Sequence, residues 1–540
     1  MEILTVKVSR RSFLGGVATV GAATVGAATA TPGGLGQTGT ARAAPARVRL
    51  RREEHRVVVV GSGFGGGVTA LRLTRAGVPV TLLERGKRWR TGPNARTFPH
   101  AAAPDRRALW HRSAPQLFGE PITLDPYVGL FDAVPGENMT PICAAGLGGG
   151  SLVYQGMTLQ PAESVFNEYL PNALDWRRMN RIHYPRVARM LGVQTAPDAL
   201  IRSRSYQAPR TFARNVRRAG MPLSKIPMPI DWQYATAELS GKMAPSYTNG
   251  DCSIGVNNGG KHSVDVTYLA QAQATGNLDI RTMHEVTGVE RAADGRWVVR
   301  VDRTDETGRC LERIVMTAST LVMAAGAVHT NRLLVRAHAL GHIADLPDGL
   351  GGGWGTNADR IYTWTDPRNR FGVEQGGPVV YGSLNWTDPT SAFTVIQASI
   401  PPMGLDAHTT MLVGYGVSRS RGRYVYDSGR DEAILSWPKN GDSAIQNGHI
   451  DPAVRRIAGP GATLVDSNAL LPTTWHPLGG AAMGVVCDLD GRVKGQRGLY
   501  ILDGSLIPGT AAACNPSMTI AAVVERALDT IVARDVGTII

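Results

Sequence analysis

The sequence predicts an α/β protein in two parts, one carrying a doubly wound parallel sheet and the other a mainly antiparallel sheet covered by helices. Three stretches predict it. A glycine-punctuated strand–helix–strand unit runs from Arg56 to Arg85, a second strand–turn–helix runs from Thr320 to Leu334, and an alternating β-prone region runs from Tyr362 to Ile400. The chain has 540 residues, long enough for a large two-part protein with a sizeable core.

Taken in order, the first 45 or so residues stand outside this fold. Ser9-Arg10-Arg11-Ser12-Phe13-Leu14 is a twin-arginine pattern, and Gly15 to Ala30 is a weakly apolar run of Ala, Gly, Val and Thr. Ala41-Arg42-Ala43 offers a small-x-small cleavage site. Ala and Gly contribute little transfer energy, so an export signal suits the run better than a membrane anchor. The twin-arginine route exports folded proteins, which suits a chain that must load a large cofactor before leaving the cell. Losing residues 1–43 removes Lys7, Arg10, Arg11 and Arg42 against Glu2, so the formal charge falls from +13 to +10. That balance favours acidic surfaces, anionic lipid headgroups among them. No Lys/Arg block interleaves with aromatics, so nucleic acid is not an expected partner.

Val57 to Val60 are all β-branched, as in a strand buried on both faces. Gly61, Gly63 and Gly66 then spell G-x-G-x-x-G. Gly61 permits the tight turn, Gly63 lets backbone approach a pyrophosphate, and Gly66 lets the following helix pack close on the strand. Phe64 opens that helix, whose free N–H groups and positive dipole end suit phosphate. Val80 to Leu83 make the next buried strand, and Glu84 ends it where an acid binds ribose hydroxyls. Strand, glycines, helix, strand and acid in register predict dinucleotide binding. Glu84 argues against NADP and leaves NAD and FAD both open.

Lys87 to Pro126 is Arg/Pro-rich and aromatic-spotted, too long for an ordinary connection, and reads as a covering loop. Ala145 to Val153, with Gly146, Gly148, Gly149 and Gly150 before Ser151, suggests backbone lying flat against a planar ligand or phosphate. Helical pieces follow in Pro161 to Leu191 and Tyr206 to Gly220. Strand-like runs resume at Leu278 to Ile280, Arg296 to Val301 and Arg313 to Thr317, and Thr320 to Gly326 returns the chain to the nucleotide layer. The five cysteines, Cys143, Cys252, Cys310, Cys487 and Cys514, lack C-x-x-C or metal-ligand spacing, so no metal is expected and at least one thiol is free.

Trp475-His476-Pro477-Leu478-Gly479-Gly480 places one imidazole before a Pro and a Gly pair. Leu499 to Pro508 is a strand running into the acid–Gly turn at Asp503. Asn515-Pro516-Ser517-Met518 then starts a helix, with Pro516 at the first helical position, so the helix dipole points at whatever lies before it.

The glycine unit, GLGGGSL, the HPLGG box, DGSLIPG and NPSMTIAAVVER, in this order and spacing, resemble the glucose–methanol–choline (GMC) family of FAD oxidoreductases. Within it they are most similar to the bacterial cholesterol oxidases that hold FAD non-covalently. The resemblance implies that His476 positions the substrate hydroxyl and assists removal of its proton, with Asn515 beside the flavin and the substrate oxygen. It implies that Gly61, Gly63, Phe64, Gly66 and Glu84 hold the ADP half of FAD, with Gly146, Gly150, Ser151, Val286, Asp503 and Met518 near or touching it. The implied reaction is hydride transfer from a lipophilic secondary alcohol, a 3β-hydroxysteroid or similar, to flavin N5. Molecular oxygen then takes the electrons and yields hydrogen peroxide.

The chain departs from the pattern around the implied pocket. Aligning Gly404-Leu405-Asp406 with the family segment puts Gln397 where the isomerising glutamate stands, and a carboxamide does not carry a proton between carbons. Steroid isomerisation is therefore doubtful. Trp475 replaces a tyrosine, Tyr154-Gln155 an Asn-Gly pair, and Ser517 a phenylalanine. Two alternatives stand beside the oxidase: a dehydrogenase of the same family using another acceptor, and an inactive flavin scaffold that binds lipid. The expected layout is a signal at 1–43 and an FAD-binding domain of 47–160 (covering loop 87–126), 271–345 and 476–540. The substrate domain takes 161–270 and 346–475. A secreted enzyme making transient contact with a membrane surface completes the expectation.

Overall fold

The computed structural model describes residues 48–540 apart from 95, 101, 114–115, 118–119, 122–124, 253–254, 402–406 and 471. The twin-arginine stretch and Gly404-Leu405-Asp406 lie outside the described residues.

The main sheet begins with β1 (Arg49–Val60), β2 (Val80–Glu84), β3 (Leu278–Thr282), β4 (His284–Arg291), β5 (Trp297–Thr304) and β6 (Cys310–Met323). Their order is β3-β2-β1-β6-β5-β4. The first four of that order are parallel, and β5 and β4 fold back as an antiparallel extension. β1 is longer than its valine run predicts. Arg49 to Arg56 continue the strand outward and pair with Glu312 to Ala318 of β6, so polar, exposed residues form sheet because a partner edge is present. β6 likewise merges two expected strands into one, and β4 is a strand that periodicity did not single out.

The second sheet holds β7 (Arg360–Thr365), β8 (Val379–Asn385), β9 (Phe393–Ala398), β10 (Thr409–Gly416) and β11 (Thr463–Asp466). It runs β11-β7-β10-β9-β8 and ends on the short strand Ser224–Lys225, with every pair antiparallel. β12 (Leu499–Ile501) rejoins the main sheet, parallel to the last turn of β6, where β5 has already peeled away.

Three helices close on the main sheet: α1 (Phe64–Arg75), α2 (Gly326–Ala339) and α3 (Ser517–Arg534). α1 packs against α3, and Arg72 and Arg186 lock the pair by ion pairs to Glu525 and Asp529. Val57 to Val59 are fully buried, as expected of a strand covered on both faces. The stretch from Lys87 is more than a cover: Trp89 and Trp110 are buried with Phe98, Val128 and Leu130 in a core of their own. All five cysteines are free thiols, and among the described residues no helix is long and apolar enough to cross a membrane.

Candidate active site

One continuous cavity of about 630 Å3 joins the carboxyl ends of β1, β2 and β6 to the inner face of the second sheet. That position is the crevice at a change of strand direction where doubly wound sheets take ligands.

The glycines show what the near half is shaped for. A Cβ on Gly66 would lie 2.0 Å from the Gly61 carbonyl oxygen, so this glycine holds α1 tight on the turn and does not itself line the cavity. A Cβ on Gly63 would meet nothing within 4 Å, and the same is true at Gly150 and Gly326. These three leave open backbone where a side chain would otherwise fill space, which is a cradle for a ligand. α1, α2 and α3 all begin at this cavity, and none has a side-chain cap at its N-terminus. Three positive dipole ends meeting at one cavity suit a diphosphate.

Glu84 sits at the same end. Its Oε2 accepts from Ser62 Oγ at 2.5 Å, and its Oε1 from the N–H groups of Gly86 and Gly146 at 2.8 and 3.2 Å. A carboxylate offers about four lone-pair sites, so one remains for a ribose hydroxyl. Asp503 accepts from Gly326 N, Thr330 Oγ1 and Ser505 N, tying β12 to the start of α2. Burial raises its pKa against those hydrogen bonds. Val286 and Phe64 complete this wall. Gly146, Ser151 and Met518, expected near the cofactor, stand behind the wall instead. Ser151 Oγ bonds Gly148 O and Val264 N, and Met518, in the first turn of α3, is buried.

The far half is apolar, with Phe131, Ile361, Ile396, Ile400, Met411 and Val413 on its walls. His476 and Asn515 both belong to the cavity lining. His476 Nδ1 lies 2.7 Å from Asp359 Oδ1. The other oxygen of Asp359 accepts from Thr474 Oγ1 at 2.8 Å and from Trp475 N at 2.9 Å. The Tyr415 ring meets the imidazole edge-on, centroids 5.6 Å apart. Asn515 is turned toward backbone: its amide donates to Met157 O at 2.5 Å and Ser517 Oγ at 2.7 Å, and its oxygen accepts from Leu159 N. The serine in place of phenylalanine at 517 is thus a hydrogen-bond partner of the asparagine.

Gln397 is the clear correction. β9 presents alternate residues to opposite faces, and it is Ile396, opposite Val413 of β10, that meets the cavity. Gln397, opposite Leu412, points to the other face, where its amide donates to Thr410 Oγ1 at 3.1 Å. The cavity-facing position of this strand therefore carries no carboxylate, but the residue responsible is Ile396.

Sequence reasoning missed Asp359 and Lys261. Asp359 follows the Gly351 to Gly355 crossing with only an acid before a β-strand to mark it. Lys261 is half-buried, donates to the carbonyls of Leu152 and Tyr154 at 2.9 and 2.8 Å, and lies 4.8 Å from the Tyr154 ring centroid. Burial lowers its pKa to about 7. Tyr154 Oη and Trp475 Nε1, both on the cavity wall, are buried without hydrogen-bond partners. The open backbone at Gly63, Gly150 and Gly326, the three uncapped helix starts and the spare lone pair of Glu84 fit a large ligand carrying a diphosphate and a ribose, as FAD does.

Comparison with known proteins agrees with this geometry. The N-terminal signature of GMC oxidoreductases matches residues 22–344 and the C-terminal one residues 452–523. A cholesterol oxidase of Mycobacterium tuberculosis is 28% identical over 88% of this chain and 91% of its own length. A cholesterol oxidase of Acinetobacter baumannii is 25% identical over 90% of this chain and 96% of its own. The solved pyridoxine 4-oxidase of Mesorbium loti superposes with a TM-score of 0.60 over 88% of this chain and 99% of its own, at 16% identity.

Proposed function

The chain belongs to the GMC oxidoreductase family, and on that premise we propose that it is an FAD-dependent oxidase of a lipophilic secondary alcohol, steroid-sized and of the 3β-hydroxysteroid kind. The observation that carries the reading is the His476 imidazole, held by Asp359 on the wall of a largely apolar chamber that is continuous with the dinucleotide cradle. FAD, when bound, supplies the hydride acceptor and the route by which electrons reach oxygen. The backbone at Gly63, Gly150 and Gly326 and the helix starts beside it would hold the diphosphate, and Glu84 a ribose hydroxyl.

The chain's own residues do the rest. The apolar walls take a fused-ring or comparably broad hydrocarbon and exclude water from around the reacting carbon. His476 meets the hydroxyl and takes its proton, a role imidazole suits because its ordinary pKa lies near working pH. Neither Ile396 on the cavity wall nor Gln397 behind it is a carboxylate, so this strand gives a 5-en-3-one product no group to move its double bond. FAD is held non-covalently in this reading, and the twin-arginine pattern at Arg10-Arg11 supports export of the loaded enzyme.

The test is anaerobic mixing of the flavin-loaded mature protein with cholesterol, followed by air. Flavin bleaching, peroxide release and an unconjugated ketone are expected. Bleaching without peroxide would replace oxygen by another acceptor, and an intact flavin spectrum with cholesterol and smaller lipophilic alcohols would overturn the reading.

A further inference from the structure

We propose that Asp359 is a positioning residue that fixes His476 as the tautomer protonated at Nδ1, leaving Nε2 bare toward the cavity as the acceptor of the alcohol proton. The inference rests on the alcohol-oxidation reading for its chemistry, but its structural content stands without it.

A carboxylate accepts hydrogen bonds and donates none, so at 2.7 Å the Nδ1 nitrogen is the donor to Asp359 Oδ1. In a neutral imidazole the other nitrogen is then unprotonated. Asp359 is itself held from its other side. Oδ2 accepts from Thr474 and from the Trp475 backbone, so the same carboxylate grips the residues on either side of the tryptophan that precedes His476. Its own carbonyl accepts from Gln446 and Asn468. Its side chain is 3% exposed and that of His476 16%, so the pair sits in the cavity wall with the imidazole the more open of the two.

The backbone that delivers Asp359 is unusual. Asn357 and Ala358 both lie in the left-handed region, with φ of 63° and 57°, and so do Ala512 and Ala513, with φ of 55° and 62°, just before Asn515. Non-glycine residues adopt this conformation at a cost, and it persists where surrounding contacts over-determine it. One amide braces both turns: Asn357 Nδ2 donates to Cys514 O at 2.8 Å and its oxygen accepts from Ala511 N at 3.2 Å. The acid behind the histidine and the loop that carries the asparagine are therefore built as one unit. The remaining titratable groups near the pair are Tyr415, whose hydroxyl is turned to Met157 Sδ, and Asp442, held by Thr356 and Ser418 behind Asp359.

In this arrangement Nε2 would take the alcohol O–H proton as the C–O bond becomes C=O, with FAD, when bound, supplying the acceptor for the hydride of the C–H bond. The imidazolium keeps its Nδ1–H on Asp359, which offsets the new charge.

The test uses the full-length flavin-loaded enzyme labelled with 15N-histidine, with the His476 ring signals assigned by their loss in His476→Gln. The wild type should show Nδ1 protonated and Nε2 bare at neutral pH. In Asp359→Asn the amide can donate to Nδ1, so the ring should shift toward the Nε2–H form. Anaerobic flavin reduction by alcohol should slow by about a hundredfold with substrate affinity little changed. Asp359→Glu should restore part of the rate, and retained flavin reports that each variant is folded. A wild-type ring protonated at Nε2, or an Asp359→Asn enzyme with unchanged ring signals and rate, would overturn the proposal. If no alcohol reduces the wild-type flavin, the functional reading fails while the ring signals still decide the tautomer.

Discussion

Gly63→Ala and Gly66→Ala separate the two jobs that glycines do in this cleft. Gly63 has φ of −69°, an ordinary value for any residue, and an added Cβ would meet no atom of the protein within 4 Å. The flavin-free fold should therefore keep its stability, or gain about 0.4–1 kcal/mol from a less flexible unfolded chain. The methyl group does, however, enter the cradle. Overpacking by one methyl typically costs about 1–3 kcal/mol, which is roughly 5- to 150-fold in the dissociation constant of the flavin. Gly66→Ala should behave oppositely. Its Cβ would lie 2.0 Å from the Gly61 oxygen, backbone against backbone, so the turn between β1 and α1 must open before any ligand arrives. The assay is thermal unfolding of flavin-stripped protein beside a flavin titration followed by fluorescence quenching. Wild-type flavin affinity in Gly63→Ala would refute the assignment of this backbone to the diphosphate. A loss of flavin-free stability in Gly63→Ala as large as in Gly66→Ala would refute the steric account itself.

Gln397→Glu should not create isomerase activity, because position 397 faces away from the cavity. Conjugated enone absorbance rising faster than in the wild type would contradict the strand register. Lys261 gives a pH signature. Its folded pKa of about 7 lies below the value near 10.5 of an unburied lysine, so the unfolded chain holds the extra proton between them. The penalty is complete below pH 7 and shrinks as pH rises, adding a slope of up to about 1.4 kcal/mol per pH unit to stability. Lys261→Met should lack that slope relative to wild type in denaturant unfolding at pH 7 to 10, and parallel curves would show that the ammonium is not desolvated as the structure indicates.

Local chemistry made the nucleotide half legible. Val57 to Val60, the spaced glycines and Glu84 each act within a few residues of one another, and the geometry they require leaves a mark in composition. The same holds for HPLGG and for Asn515-Pro516, where a proline and a helix start are read directly from the chain. What lay beyond reach was everything decided by pairing across the fold. Arg49 to Arg56 become strand only because β6 lies alongside, and no periodicity announces that. Neighbouring residues of a strand face opposite ways, so only the pairing of β9 with β10 shows that Ile396 lines the cavity and Gln397 does not. Asp359 stands 117 residues before His476, and the bridge between Gly355 and Leu478 of the HPLGG turn brings its carboxylate to Nδ1. The sequence by itself determined the fold class, the glycine turn and the imidazole, because those depend on short-range stereochemistry. The tertiary structure alone decided which face of the second sheet lines the cavity and which acid stands behind the histidine, because those depend on contacts between segments the chain keeps far apart.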